Sequence, residues 1–201
     1  MFIADGLRHF CLFGNQKRVR HTHIPASFMN DIFPGLKYMQ ALDSSYSAGY
    51  CNWYLAADDY TKDMFWLPPS IKAVGVYIYT DTYCHPWDAP AGIRRATLKN
   101  VYDVAFNPSI DEAGIIYNHQ WNYAISYPID GIVIEGQRTF QKDKTSLDRI
   151  NVRRLLLYLE KNVARIGRHF LYEGNTEYLR QTFVDQITTI FEDCENGSGI
   201  S

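Results

Sequence analysis

Apolar positions along the 201-residue chain repeat with two different periods. Val152, Leu155, Leu156, Leu159, Val163 and Ile166 lie on one stripe of a 3.6-residue period. This predicts a helix from about Asp148 to Ile166, capped by Ser146 or Asp148 and stopped by Gly167. Leu179, Phe183, Ile187, Ile190 and Phe191 mark one face of a second helix, with Asn175 as its cap. Ile3, Leu7, Phe10 and Cys11 predict a short amphipathic helix ended by Gly14. Ser109 with Glu112 three residues on forms a capping-box pattern, so another short helix starts there.

The second period is that of strands. Asn122 to Tyr127 and Ile132 to Glu135 read as short strands, and Ala73 to Tyr79 (A-V-G-V-Y-I-Y) as a buried one with a bulge or close approach at Gly75. Pro68-Pro69-Ser70 before it argues for an extended or turn path, and Asp81 to Gly92, with Pro86 and Pro90, for a surface loop. Around Ser44 to Tyr60 the spacing is mixed. The fold class is α+β, a sheet of short strands packed against amphipathic helices, without internal repeats. The last seven residues, Glu195 to Ser201, have the composition of a flexible tail.

Composition narrows the class. The chain is 46% hydrophobic and 21% charged, a globular profile large enough for one substantial core or two small ones. A formal charge of −2 gives no global reason to expect nucleic acid or an anionic membrane as partner. No run of about 18 apolar residues occurs, and Asp5 and Arg8 interrupt the N-terminus too early for a signal peptide. Aromatics reach 15%, with fifteen tyrosines, which fits either an aromatic core or large contact surfaces.

Candidate chemistry is sparse. Cys11, Cys51, Cys84 and Cys194 form no C-x-x-C and read as reduced thiols. His21 and His23 could share a strand face, but no neighbouring Cys or Glu completes a metal site. Asp58, Asp59 and Asp63 lack the glycine and terminal Glu of a calcium loop. Cys84 and His85, adjacent in sequence, point apart, and no G-x-S-x-G occurs. Gly131 to Arg138 (G-I-V-I-E-G-Q-R) has no Lys-Ser/Thr after its second glycine and is no P-loop. The expectation is a protein without enzymatic activity, cofactor or metal.

Four motifs occur in order: Pro68-Pro69-Ser70-Ile71, then Trp87-Asp88-Ala89-Pro90-Ala91-Gly92, then Gly131 to Thr139 with Gly136, Arg138 and Thr139, then Ile150-Asn151-Val152-Arg153-Arg154-Leu155 preceded by Arg149. In this the chain resembles the tail sheath subunits of contractile bacteriophages. The resemblance runs from Tyr46 to about Phe191, and Ile71 departs from it where the family has glycine. It implies a conserved sheath core at 46–194, a weakly matched segment at 1–45 and a tail at 195–201. It also suggests a fragment lacking the family's terminal extensions, monomeric by itself.

A sheath subunit polymerises helically around the tail tube and contracts to drive that tube through the host envelope for genome ejection. The implied partners are other sheath subunits, the tube protein, the baseplate and the tail terminator. The implied location is the virion tail, assembled in host cytoplasm. Family members donate terminal strands to neighbours, and the edges at Asn122 to Tyr127 and Ile132 to Glu135 are either acceptors or already paired within the fold. Sheaths of type VI secretion and R-type bacteriocins share this core. A carbohydrate-binding or hydrolytic tail module is the alternative from another class.

Charge singles out one element. Arg149 to Arg168 carries a local +5, leaving −7 for the rest of the chain. On a helix Arg154, Lys161, Arg165 and Arg168 group within about 60° of arc, opposite the leucine stripe. This face is expected either to contact an acidic tube or to be an ordinary solvated face that suits the helix C-terminus.

Overall fold

The computed structural model describes residues 11–14, 43–58, 60–61 and 63–200. A four-stranded sheet has the order β1 (Cys11–Gly14), β2 (Ser47–Tyr50), β6 (Trp121–Tyr127), β7 (Gly131–Glu135). The first three strands run parallel, and β6 and β7 form an antiparallel hairpin. A smaller antiparallel sheet has the order β4 (Met64–Leu67), β3 (Tyr54–Ala57), β5 (Val101–Val104). The mixed-spacing region is thus resolved into β2 and β3. The helix expected at the N-terminus lies mostly outside the described residues. Its last position, Cys11, opens a strand, and Gly14 ends that strand.

The segment expected as a buried strand at Ala73 to Tyr79 is a helix, α1 (Pro69–Tyr83). Pro68 is extended, as a residue before proline should be, while Pro69 occupies the first helical position, where the missing N–H costs nothing. The alternation of Val74, Val76 and Ile78 imitates a strand. The buried set, however, is Pro69, Ala73, Val76, Tyr77 and Thr80, a helical stripe. Gly75 marks neither a bulge nor a close approach, because a Cβ there would meet nothing within 4 Å. The loop that follows is correspondingly shorter than expected, from Cys84 to Gly92, and leads into α2 (Ile93–Ala96).

The capping box forms as expected and opens α3 (Ile110–Asn118): the Ser109 Oγ accepts from the Glu112 N–H, and Glu112 Oε2 accepts from the Ser109 N–H at 2.9 Å. The long helix is α4 (Ile150–His169), two residues later at its start than its pattern suggested. Neither Ser146 nor Asp148 caps it. Both lie in a 3-10 turn capped by Thr145, Arg149 holds the N-cap position, and Gly167 is inside the helix. Thr176, rather than Asn175, caps α5 (Glu177–Asn196) through a 3.2 Å bond from the Leu179 N–H.

The tail expected to be loose is held down. Glu195 and Asn196 complete α5, the Trp87 Nε1–H donates to the Gly197 carbonyl at 2.9 Å, and the Gly199 N–H donates to Cys194 at 2.7 Å. A Cβ at Gly197 or Gly199 would stand 2.7 or 2.9 Å from the Trp87 ring, so only glycine fits beneath it.

Two clusters make the core. In the larger, α1 (Ala73, Val76, Tyr77), Ala96 and Ile150 pack on Ala48, Ala124, Ile132 and Ile134 of the main sheet. The smaller ties α4 to α5 through Trp87, Leu155, Leu159 and Cys194. Outside it the α4–α5 hairpin is thinly buried, Cys194 being the one buried residue of α5.

Candidate assembly surfaces

The motif residues come from four stretches of chain, and the fold turns most of them into one brace around the start of α4. Gly136 takes φ +87°, and a Cβ there would stand 3.0 Å from Asn122 Oδ1. The buried Asn122 amide then holds the next residues: its Nδ2 donates to the carbonyls of Gly49 (3.0 Å) and Arg138 (2.9 Å), and its Oδ1 accepts from the Arg138 N–H at 2.7 Å. Arg138 pairs with Asp148 at 2.6 Å and lies over the Tyr117 ring, 4.4 Å from its centroid. Arg149 pairs with the other oxygen of Asp148 at 3.2 Å and donates to the Tyr117 hydroxyl. Thr139 is buried and donates to the Leu147 carbonyl at 2.9 Å.

Arg153 and Arg154, one turn into α4, are 5% and 9% exposed. Arg153 donates to Ser45 and lies 4.1 Å above the Tyr46 ring centroid. Arg154 pairs with Asp81 of α1 and faces the Tyr77 ring, whose hydroxyl bonds that of Tyr50 at 2.8 Å. Burial pushes the Asp81 carboxyl up from its ordinary value, against the opposing pull of the guanidinium. Burial likewise pushes Tyr50 up to about 12 and Tyr77 well above 10. The Asn151 amide oxygen is buried and makes no hydrogen bond among the described residues.

Arg154 therefore does not belong to the solvent-facing basic surface expected from helical spacing. The first turns of α4 are enclosed on both sides, by Trp87 and Cys194 against Leu155 and by Asp81 and Tyr77 of α1 against Arg154, so a position opposite the leucines is still interior there. Beyond Leu159 the enclosure ends, and Lys161, Arg165 and Arg168 are exposed as expected.

The other motif residues are backbone devices. Pro68 and Pro69 start α1, with Ser70 in its first turn. The Ala89 carbonyl accepts from Arg95 Nε at 3.0 Å, Pro90 is buried, and Gly92, at φ +82°, donates its N–H to Ile134 at 2.9 Å. With Leu98 donating to Ile132 at 2.8 Å and Thr97 bridging Val133, this segment covers the outer side of β7. β6 lies between β2 and β7, so neither strand offers the free edge considered from the sequence. Among the described residues β1, β4 and β5 each have a single strand neighbour.

Sequence reading missed a groove of about 360 Å³ between α1 and α2, with Lys72, Arg94, Arg95 and Lys99 around Val76 and Leu98. The Arg94-Arg95 pair is its only local signal, since Lys72 is brought alongside by α1, whose spacing imitates a strand. No group of three His, Cys, Asp or Glu suited to a metal ion occurs among the described residues. His21, His23 and Asp59 lie outside those residues. Asp58 accepts from the N–H groups of Tyr60 (2.7 Å) and Thr61 (3.1 Å), which shapes a turn, and His85 stacks on Trp87 with centroids 4.7 Å apart. No described helix is long and apolar enough to cross a membrane.

No protein-family model matches the chain. It is 30% identical to the tail sheath protein of Salmonella phage ViI over 158 residues, 79% of this chain and 25% of that protein. It is also 30% identical to the tail sheath protein of Enterobacteria phage T4 over 142 residues, 71% of this chain and 22% of that one. Among solved structures, the helical sheath of the anti-feeding prophage in its contracted state superposes with a TM-score of 0.66 at 25% identity, covering 77% of this chain and 41% of that one. The chain spans about a quarter of the length of the curated relatives it matches.

Proposed function

We propose that this chain, a homologue of contractile-phage tail sheath proteins, is the packing core of a sheath subunit that polymerises around a tail tube and contracts to drive it through the host envelope. The observation that carries the reading is the arginine brace. It locks α4 to both α1 and the β6–β7 region, so that the subunit moves as a rigid body when its neighbours rearrange. A contractile polymer needs this, because contraction exchanges one set of intersubunit contacts for another while the subunits keep their shape. The subunit works mechanically, without enzymatic activity, as part of a virion tail, a reading that its similarity to phage tail sheath proteins supports.

Lys161, Arg165 and Arg168 form the face that meets the tube. They project from the thinly buried half of α4 on a surface the core does not use, and they fit an acidic partner. The baseplate and the tail terminator are partners at the two ends of the polymer, and strands from neighbours add at β1, β4 or β5. Expressing the chain with the coding sequence that flanks it, and imaging the product, tests the reading. Regular hollow tubes are expected. A stable monomer at high concentration sinks it.

A further inference from the structure

We infer that the basic groove between α1 and α2 receives the acidic edge of α5 from a second copy of this chain. The inference deepens the sheath reading and rests on it. The groove has an apolar floor of Val76 and Leu98 and a basic rim of Lys72, Arg94 and Lys99, with no carboxylate among its lining residues. Two of the groove's four cations have partners beside it: Lys72 donates to the Lys99 carbonyl at 3.0 Å, and Arg95 is tied to Asp88 at 3.4 Å. A fitting occupant carries apolar groups beside carboxylates.

α5 has such an edge. Its five acids against Arg180 alone give a charge of −4. Phe183, Ile190 and Cys194 face α4 and Phe170. On another side Val184, Phe191, Glu192 and Glu195 fall within about 100° of arc. Val184 is 52% and Phe191 42% exposed, and both glutamates are exposed. The edge and the groove match in polarity and in sign. They are different surfaces of the same molecule, so the contact is heterologous and propagates from copy to copy without closing on a two-fold axis. That is the geometry a helical polymer needs.

Charge reversal with exchange tests this. R94E with K99E, and separately E192K with E195K, alter exposed residues and leave circular dichroism unchanged. The parent chain is expected to self-associate at low salt in sedimentation equilibrium, against the monomer that its resemblance to the family implies, and a parent that stays monomeric overturns the inference. Each variant alone is expected to weaken that association by about tenfold or more, a loss of about 1.4 kcal/mol. Mixing the two restores it, because each then offers the surface the other needs. In a mixture of 14N- and 15N-labelled parent chains, zero-length coupling joins Lys72 or Lys99 of one copy to Glu192 or Glu195 of another, and added salt suppresses the link. Mixed variants that fail to recover, or links confined to single copies, overturn the inference. So does sensitivity to the groove reversal with indifference to the α5 reversal, which assigns the groove to another acidic partner. Hollow tubes that withstand both reversals retire this contact and leave the sheath reading standing.

Discussion

Asn122 uses both ends of its amide: two donated bonds reach carbonyls on β2 and at Arg138, and its oxygen takes the Arg138 N–H. Substituting Asn122→Leu orphans one buried backbone group, the Gly49 carbonyl, at about 1–3 kcal/mol, and two part-buried ones at Arg138 at less. The expected outcome is a large fall in Tm, or failure to fold, measured by thermal circular dichroism. Gly49 pairs with Trp121 in the sheet, and a Cβ there would lie 2.4 Å from Phe140 Cζ and 2.7 Å from the Trp121 ring. Gly49→Ala is expected to cost about 1–3 kcal/mol in chemical denaturation, because both rings are buried and must shift. Tyr50, Tyr54 and Tyr77 hold their protons well above pH 10 through burial. The unfolded chain releases those protons near pH 10, so their contribution is complete below that value and lost as pH rises toward about 12, where Tyr50 titrates. The loss reaches about 1.4 kcal/mol per tyrosine per pH unit. Alkaline unfolding is therefore expected to be cooperative, with tyrosinate absorbance appearing together with loss of structure.

α1 and α4 show how an element's neighbours decide what its pattern means. In α1 the β-branched run Val74, Val76, Ile78 imitates a strand, and the pair of prolines imitates a break. A proline at the first helical position starts a helix as readily as one in the interior stops it. In α4 helical periodicity located the apolar stripe correctly, but the outer face changes character along the axis. Arg154 is an interior residue paired with Asp81, whereas Lys161, Arg165 and Arg168 reach solvent. The two kinds of arginine separate by mutation. Arg154→Glu sets a buried like charge against Asp81 and is expected to cost about 3–5 kcal/mol, read by denaturant titration. Reversing Lys161, Arg165 and Arg168 together is expected to cost about 1–2 kcal/mol, the lost and reversed interaction with the helix C-terminus, and to leave the fold intact while abolishing assembly around tubes. Normal assembly of that triple variant makes the face an ordinary solvated one.

At the scale of the molecule, burial is uneven. The sheet with α1, α2 and the base of α4 holds the larger core, and the α4–α5 hairpin is fastened chiefly at its base, by Trp87, Leu155, Leu159 and Cys194 under the folded-back tail. Hydrogen exchange is expected to be slowest in β6, β7 and α1 and fastest in α5. Truncation before Gly197 should accelerate α5 further without changing the sheet, and equal protection throughout would contradict a hairpin held at one end. The sequence by itself determined the two strands β6 and β7 though not their pairing, the capped α3, both long helices and, through its ordered motifs, the kinship with sheath proteins. Those signals are local, made of side-chain period, capping chemistry and short strings read along the chain. Tertiary structure alone decided that α1 is a helix, that the motif arginines brace α4 while three later cations stay outside, that β7 is covered, and that a basic groove lies opposite in charge to α5. Each of these depends on what a distant segment brings alongside, and a cation's role is set by the carboxylate or ring that meets it.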